Sequence, residues 1–127
     1  MNKLPRISEA EWQVMKAIWK QTGSCSAQTV IDTLATPNDW SVATIKTLLN
    51  RLVKKGALRF EKNGKSYLYS ATLTESEGRT VETKTFLDRV FDGSLSPLIA
   101  HFSQARKLSK KDIEELENLL RESRKKP

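Results

Sequence analysis

The stretch SVATIKTLLNRLVKKGALRFEKNGKSYLYS, residues 41–70, decides the fold. Its first half repeats apolar residues at helical spacing. With Ile45 at zero, Leu48, Leu49, Leu52 and Val53 fall within an arc of about 140°. Thr44, Thr47, Asn50, Arg51 and Lys54 fall on the other side, and Lys46 lies at the border. Ser41 is suited to cap this helix and Gly56 to stop it. The second half alternates, Leu58–Lys62 and Lys65–Ser70, about the dipeptide Asn63-Gly64. Asn-Gly predicts a two-residue type I′ turn. Lys62 then faces Lys65, Phe60 faces Tyr67 and Leu58 faces Tyr69, and the apolar pairs share a face that covers the helices. A helix followed at once by a lysine-tipped hairpin is the core of a winged helix-turn-helix.

The polar face of that helix has short hydroxyl and amide groups toward its start and long cations further on. A major groove accepts this order, because small donors approach base edges while Arg and Lys reach phosphates. Residues 41–65 hold seven Lys/Arg and one Glu. The candidate DNA-binding residues are therefore Ser41, Thr44, Lys46, Thr47, Asn50, Arg51 and Lys54, with Lys62 and Lys65 on the wing. The plain alternative is a solvated helix face and a hairpin kept soluble by lysine.

Upstream, Ser8-Glu9-Ala10-Glu11 has capping-box spacing and opens a helix to about Lys20, with Val14, Met15, Ile18 and Trp19 inward. Trp12 and Trp19 read as core. Ser24–Ser26 is a short extended piece. Ser26 caps a second helix through about Leu34, and Thr36-Pro37-Asn38-Asp39 reads as a loop. Downstream, Thr74-Glu75-Ser76-Glu77 is a second capping box, opening a long helix to about Asp92. Ser96-Pro97 predicts a cap with proline at the first helical position, and a short helix follows to about Ala105. Ser109 caps a last helix with Ile113, Leu116, Leu119 and Leu120 in one stripe.

Two parts follow from this order: a winged-helix DNA-binding domain over residues 1–72 and a three-helix dimerisation domain over 73–127. The first carries 11 Lys/Arg against 5 Asp/Glu, the second 11 against 10, so the excess positive charge sits where a polyanion is expected. So few helices, with one apolar stripe each, do not make a core alone. A homodimer buries the stripes and pairs the two readers.

Other classes are poorly served. One cysteine, Cys25, allows no internal disulfide or metal pair and reads as a small buried residue. His101 has no partner residues for a metal or catalytic site. No nucleophile–base pair, phosphate loop or cofactor motif appears, which argues against an enzyme and against a cofactor. No signal peptide or membrane span is expected, so the expected location is cytoplasmic.

Three blocks carry a family resemblance over nearly the whole chain: SEAEWQVM (8–15) with IW (18–19), DWSVATIKTLLNRL (39–52) with KKG (54–56), and LSKKDIEEL (108–116). The chain resembles the penicillinase-repressor family, the BlaI/MecI/CopY group of bacterial transcriptional repressors. The resemblance implies a dimer on palindromic operators with TACA/TGTA half-sites. It implies that Ser41, Thr44, Lys46 and Thr47 meet bases and nearby phosphates, and that Arg51 and the wing lysines meet phosphate. Members that respond to β-lactams are cut at an Asn-Phe bond in the short helix. The matching pair here is His101-Phe102, which departs from that pattern by His in place of Asn; the resemblance still implies a membrane-sensor protease as a partner. Members that respond to copper carry paired Cys-x-Cys motifs at the end of the chain. This chain has RESRKKP there (121–127), so no metal is implied.

Overall fold

The computed structural model describes residues 6–125 and falls into two compact units, one reaching to Thr85 and the other starting at Phe86. The first unit runs α1 (Glu9–Trp19), β1 (Cys25–Ser26), α2 (Ala27–Asn38), α3 (Val42–Lys54), β2 (Leu58–Asn63) and β3 (Ser66–Ala71). It ends in the larger part of α4 (Glu75–Phe91), and the second unit holds the rest of α4 with α5 (Leu95–Gln104) and α6 (Lys110–Lys125).

Local chemistry places the helix starts. Ser8 Oγ accepts from the Glu11 N–H at 3.2 Å while Glu11 Oε1 accepts from the Ser8 N–H at 2.8 Å. The same reciprocal pair recurs between Thr74 and Glu77 at α4, and between Ser109 and Asp112 at α6. α1, α2 and α3 pack on one another around Val14, Met15, Ile18, Val30, Ile31, Ile45, Leu48, Leu49 and Leu52. The sheet is antiparallel with β3 between β1 and β2, and Leu58, Tyr69 and Cys25 close the core from its side. Three helices and a three-stranded sheet in this order form a winged helix.

α2 continues four residues beyond the expected end at Leu34, and Pro37 lies inside it, not in a loop. Ala35 packs against the core, which rewards the extra turn. Asn38 Nδ2 donates to the Leu34 carbonyl at 3.0 Å, and Asp39 ends the helix at φ 54. Trp40 N–H then reaches back to the Ala35 carbonyl at 2.9 Å, as in a Schellman close.

The hairpin register differs from the expected one by two residues. Lys62 faces Tyr67, Phe60 faces Tyr69 and Leu58 faces Ala71, with Asn63 opposite Ser66. The turn is therefore Gly64-Lys65. Gly64 has φ +65 while Lys65 is not among the residues of positive φ, the pattern of a type II′ turn. A shift of two keeps every side chain on its expected face. That face does not cover the helices along its whole length: Leu58 and Tyr69 are buried, whereas Phe60 and Tyr67 stay exposed.

α5 begins at Leu95 after Ser94, which makes no side-chain cap bond, so Ser96 is not the cap. Pro97 falls third in the helix. It is tolerated there because first-turn N–H groups have no partner inside a helix.

α4 starts against a pair of tryptophans. Trp12 and Trp19 meet edge to face at 5.2 Å between centroids, and Trp19 Nε1 donates to the Leu73 carbonyl at 3.0 Å. Gly78 is buried against them: a Cβ there would lie 2.8 Å from Trp19 Cη2. In the second unit α5 and α6 contain no buried residue, and Phe86, Val90, Leu95, Phe102, Ile113, Leu119 and Leu120 are exposed.

Candidate nucleic-acid interface

α3 divides cleanly by environment. Ile45, Leu48, Leu49 and Leu52 are buried, while Thr44, Lys46, Thr47, Asn50, Arg51 and Lys54 are exposed. Steps of three and four residues place Thr44, Thr47, Arg51 and Lys54 along one side of the helix, with Lys46 and Asn50 beside them. Ser41 sits at the N-cap, accepting from the Thr44 N–H at 3.1 Å, and its Oγ lies 3.0 Å from Thr44 Oγ1. The two hydroxyls thus hold each other at the N-terminus of the helix, where backbone N–H groups and the dipole favour an anion.

The wing adds Lys62, on the exposed end of β2, and Lys65, in the turn. Arg59 is on the opposite face of β2, where its Nε donates to Ser70 Oγ at 3.3 Å. Among the described residues, Lys46, Arg51, Lys54, Lys62 and Lys65 take part in no salt bridge. Five exposed cations without internal counter-charges leave the first unit with a positive surface on α3 and the wing.

Lys55, the last cation of the same basic run, behaves differently. Its Nζ donates to the Arg6 carbonyl at 2.8 Å and to Glu11 Oε1 at 2.5 Å. Glu11 is 1% exposed. Burial pushes its carboxyl up, but the Lys55 ammonium and the Ser8 N–H and hydroxyl together outweigh this and hold it below the ordinary glutamate value. Lys55 therefore locks the end of α3 to the start of α1. Glu11 was legible as a capping residue, but nothing local announces its second partner. The other candidates, His101 and Phe102, are exposed on α5 in the second unit.

Among the described residues, no cluster of His, Cys, Asp and Glu could hold a metal ion, and no helix is long and apolar enough to cross a membrane. Burial pushes the Cys25 thiol up, as for a small core residue.

An exposed basic and hydroxyl-bearing helix in this position, followed by a lysine-tipped hairpin, defines a winged helix-turn-helix protein. The chain belongs to the penicillinase repressor family, whose pattern matches residues 7–122. The penicillinase repressor of Bacillus licheniformis is 40% identical over 122 residues, covering 96% of this chain and 94% of that protein. The methicillin resistance regulatory protein MecI of Staphylococcus aureus strain N315 is 38% identical over 119 residues, covering 94% and 96%. A solved structure of the monomeric form of Bacillus licheniformis BlaI in complex with the blaP half-operator matches with TM-score 0.52 at 45% identity. It covers 61% of this chain and 93% of that one.

Proposed function

We propose that the chain is a cytoplasmic, sequence-specific transcriptional repressor that binds a palindromic operator in duplex DNA as a homodimer. The observation that carries this is the unpaired, exposed cation and hydroxyl face of α3 beside the wing, in a chain whose relatives include one solved on a half-operator. Thr44, Lys46 and Thr47 read bases, with Ser41 at the helix start. Asn50, Arg51, Lys54, Lys62 and Lys65 hold phosphates. The reader occupies residues 1–72, and the helices of 73–127 make the dimer. The exposed apolar residues of α5 and α6 support that second role, since they lack any buried partner within the second unit.

Binding is tested on a duplex carrying TACA and TGTA half-sites against a scrambled duplex, across a salt series. With about four cations per chain on phosphate, about eight per dimer, the slope of log K against log salt is expected near −7. Thr44→Ala and Lys46→Ala are expected to cost about 1–3 kcal/mol on the operator and to blur its preference over the scrambled duplex. Arg51→Ala should weaken both duplexes alike. Equal losses on both duplexes for all three variants would remove the base-reading assignment. A chain that ignores DNA at low salt would instead be a winged-helix module for protein partners.

Release occurs by cleavage of the His101-Phe102 bond by a membrane-sensor protease, which separates the reader from α6. The bond lies in the last turns of α5 with both side chains exposed, so a local opening of the helix end would present it in extended form. Mass spectrometry of protein from induced cells is expected to show two fragments meeting at this bond. Intact chain alone, with the promoter derepressed, would exclude proteolysis as the trigger.

A further inference from the structure

Phe60 and Tyr67 lie on the hairpin face whose inner end packs on the helices, yet they are 49% and 45% exposed, against 2% and 8% for Leu58 and Tyr69. Their rings pair with each other: they meet edge to face at 5.1 Å, and Phe60 also approaches Tyr69 at 6.1 Å. Lys62 is the cross-strand partner of Tyr67 and so shares this face, and Lys65 stands in the turn beyond it. Glu61, the single carboxylate between residues 58 and 71, has the opposite parity and lies on the other face. The outer wing thus presents a packed aromatic pair with lysine beside it and no carboxylate of the hairpin on the same face.

Protein contacts are depleted of lysine at their centres. A duplex offers the complementary surface, because its edge alternates carbon-rich deoxyribose with phosphate, and the phosphates attract the lysines beside the rings. We propose that this face of the wing is a second DNA-contact surface, in which the Phe60 and Tyr67 rings pack on the sugars beside each half-site while Lys62 and the Tyr67 hydroxyl reach phosphates. The proposal rests on the operator-binding reading above.

An apolar contact and an ion pair leave different traces in a salt series. Phe60→Thr and Tyr67→Thr in the full chain are each expected to weaken operator binding about tenfold with the salt slope unchanged, since neither releases a counterion. Lys62→Met should make the slope less steep by about 0.9 for each chain bound. Hydroxyl-radical footprinting of the wild-type complex, which needs no variant to fold, should show protected sugars flanking each half-site, and that protection should be lost in Phe60→Thr. Variants that keep the wild-type melting temperature and bind as the wild type does would overturn the proposal and leave the repressor reading intact. So would unprotected flanking sugars. So would a loss of binding matched by a change in sedimentation, which would make the face a contact between copies. A wild-type chain that ignores the duplex would remove both readings together.

Discussion

Lys55→Met is expected to lower stability by about 3 kcal/mol at neutral pH, because it strips the counter-charge from a carboxylate that stays buried. Glu11 is 1% exposed and keeps only its Ser8 capping bonds in the variant. The pH dependence should change as well. In the wild type the Glu11 carboxyl lies below its ordinary value. Its contribution is therefore complete above that ordinary range and is lost as pH falls through the depressed folded value. In the variant, burial is opposed by the Ser8 bonds alone, so the carboxyl titrates above its position in the wild type. The variant should then gain on the wild type as pH falls from neutral toward 5, the folded state now taking up the proton. Thermal denaturation of both proteins across this range checks the point, with Glu11→Gln as a control that removes the titrating group. Parallel curves for wild type and Lys55→Met would mean that the ion pair contributes nothing. Because Lys55 is anchored in this way, its removal should weaken DNA binding only as far as it unfolds the protein.

Gly78→Leu should be nearly as damaging. On an exposed helix, replacing glycine by leucine or alanine gains up to about 1 kcal/mol. Here a Cβ would lie 2.8 Å from Trp19 Cη2 and 3.1 Å from its Cζ2, atoms of a rigid ring rather than a flexible chain end. Overpacking of this kind costs about 1–3 kcal/mol, and the larger side chain of leucine belongs at the upper end. Gly78→Ala should fall near the lower end, where the propensity gain offsets part of the clash. Tryptophan fluorescence during unfolding gives a direct readout, since Trp12 and Trp19 are the ring pair being displaced. An increase in melting temperature for both variants would show that α4 moves away freely and that the tryptophan contact does not hold it.

What could be read along the chain, and what could not, divides by distance. The capping boxes at Ser8, Thr74 and Ser109 could be read because donor and acceptor are three residues apart. The division of α3 into an apolar and a polar face needs nothing beyond periodicity, and the six candidate DNA-binding residues on this helix are all exposed. Where the competing local choices are close in energy, the reading missed. Asn63-Gly64 and Gly64-Lys65 both offer a glycine to a two-residue turn. The pairing of Asn63 with Ser66 settled on the second, and only the sheet as a whole selects it. Pro37 suggests a break, but α2 runs through it, with Ala35 half-buried against the first unit's core. Lys55 finds Glu11 44 residues away, so its separation from the rest of the basic run had no signal in the sequence. Gly78 had one: a lone glycine inside an otherwise helical segment asks for a packing reason, and Trp19 is that reason.

The five unpaired cations of α3 and the wing set two equilibria against each other. Without DNA they repel one another, since none of them is held in a salt bridge, and dissolved salt screens this repulsion. On the proposed operator-binding reading, four of them hold phosphates in the complex, and added salt competes for those places. Ionic strength therefore eases the folding of the free chain while it loosens the grip of the bound one. On that reading the protein is electrostatically incomplete by itself, and a nucleic acid would supply the charges that its own sequence leaves out.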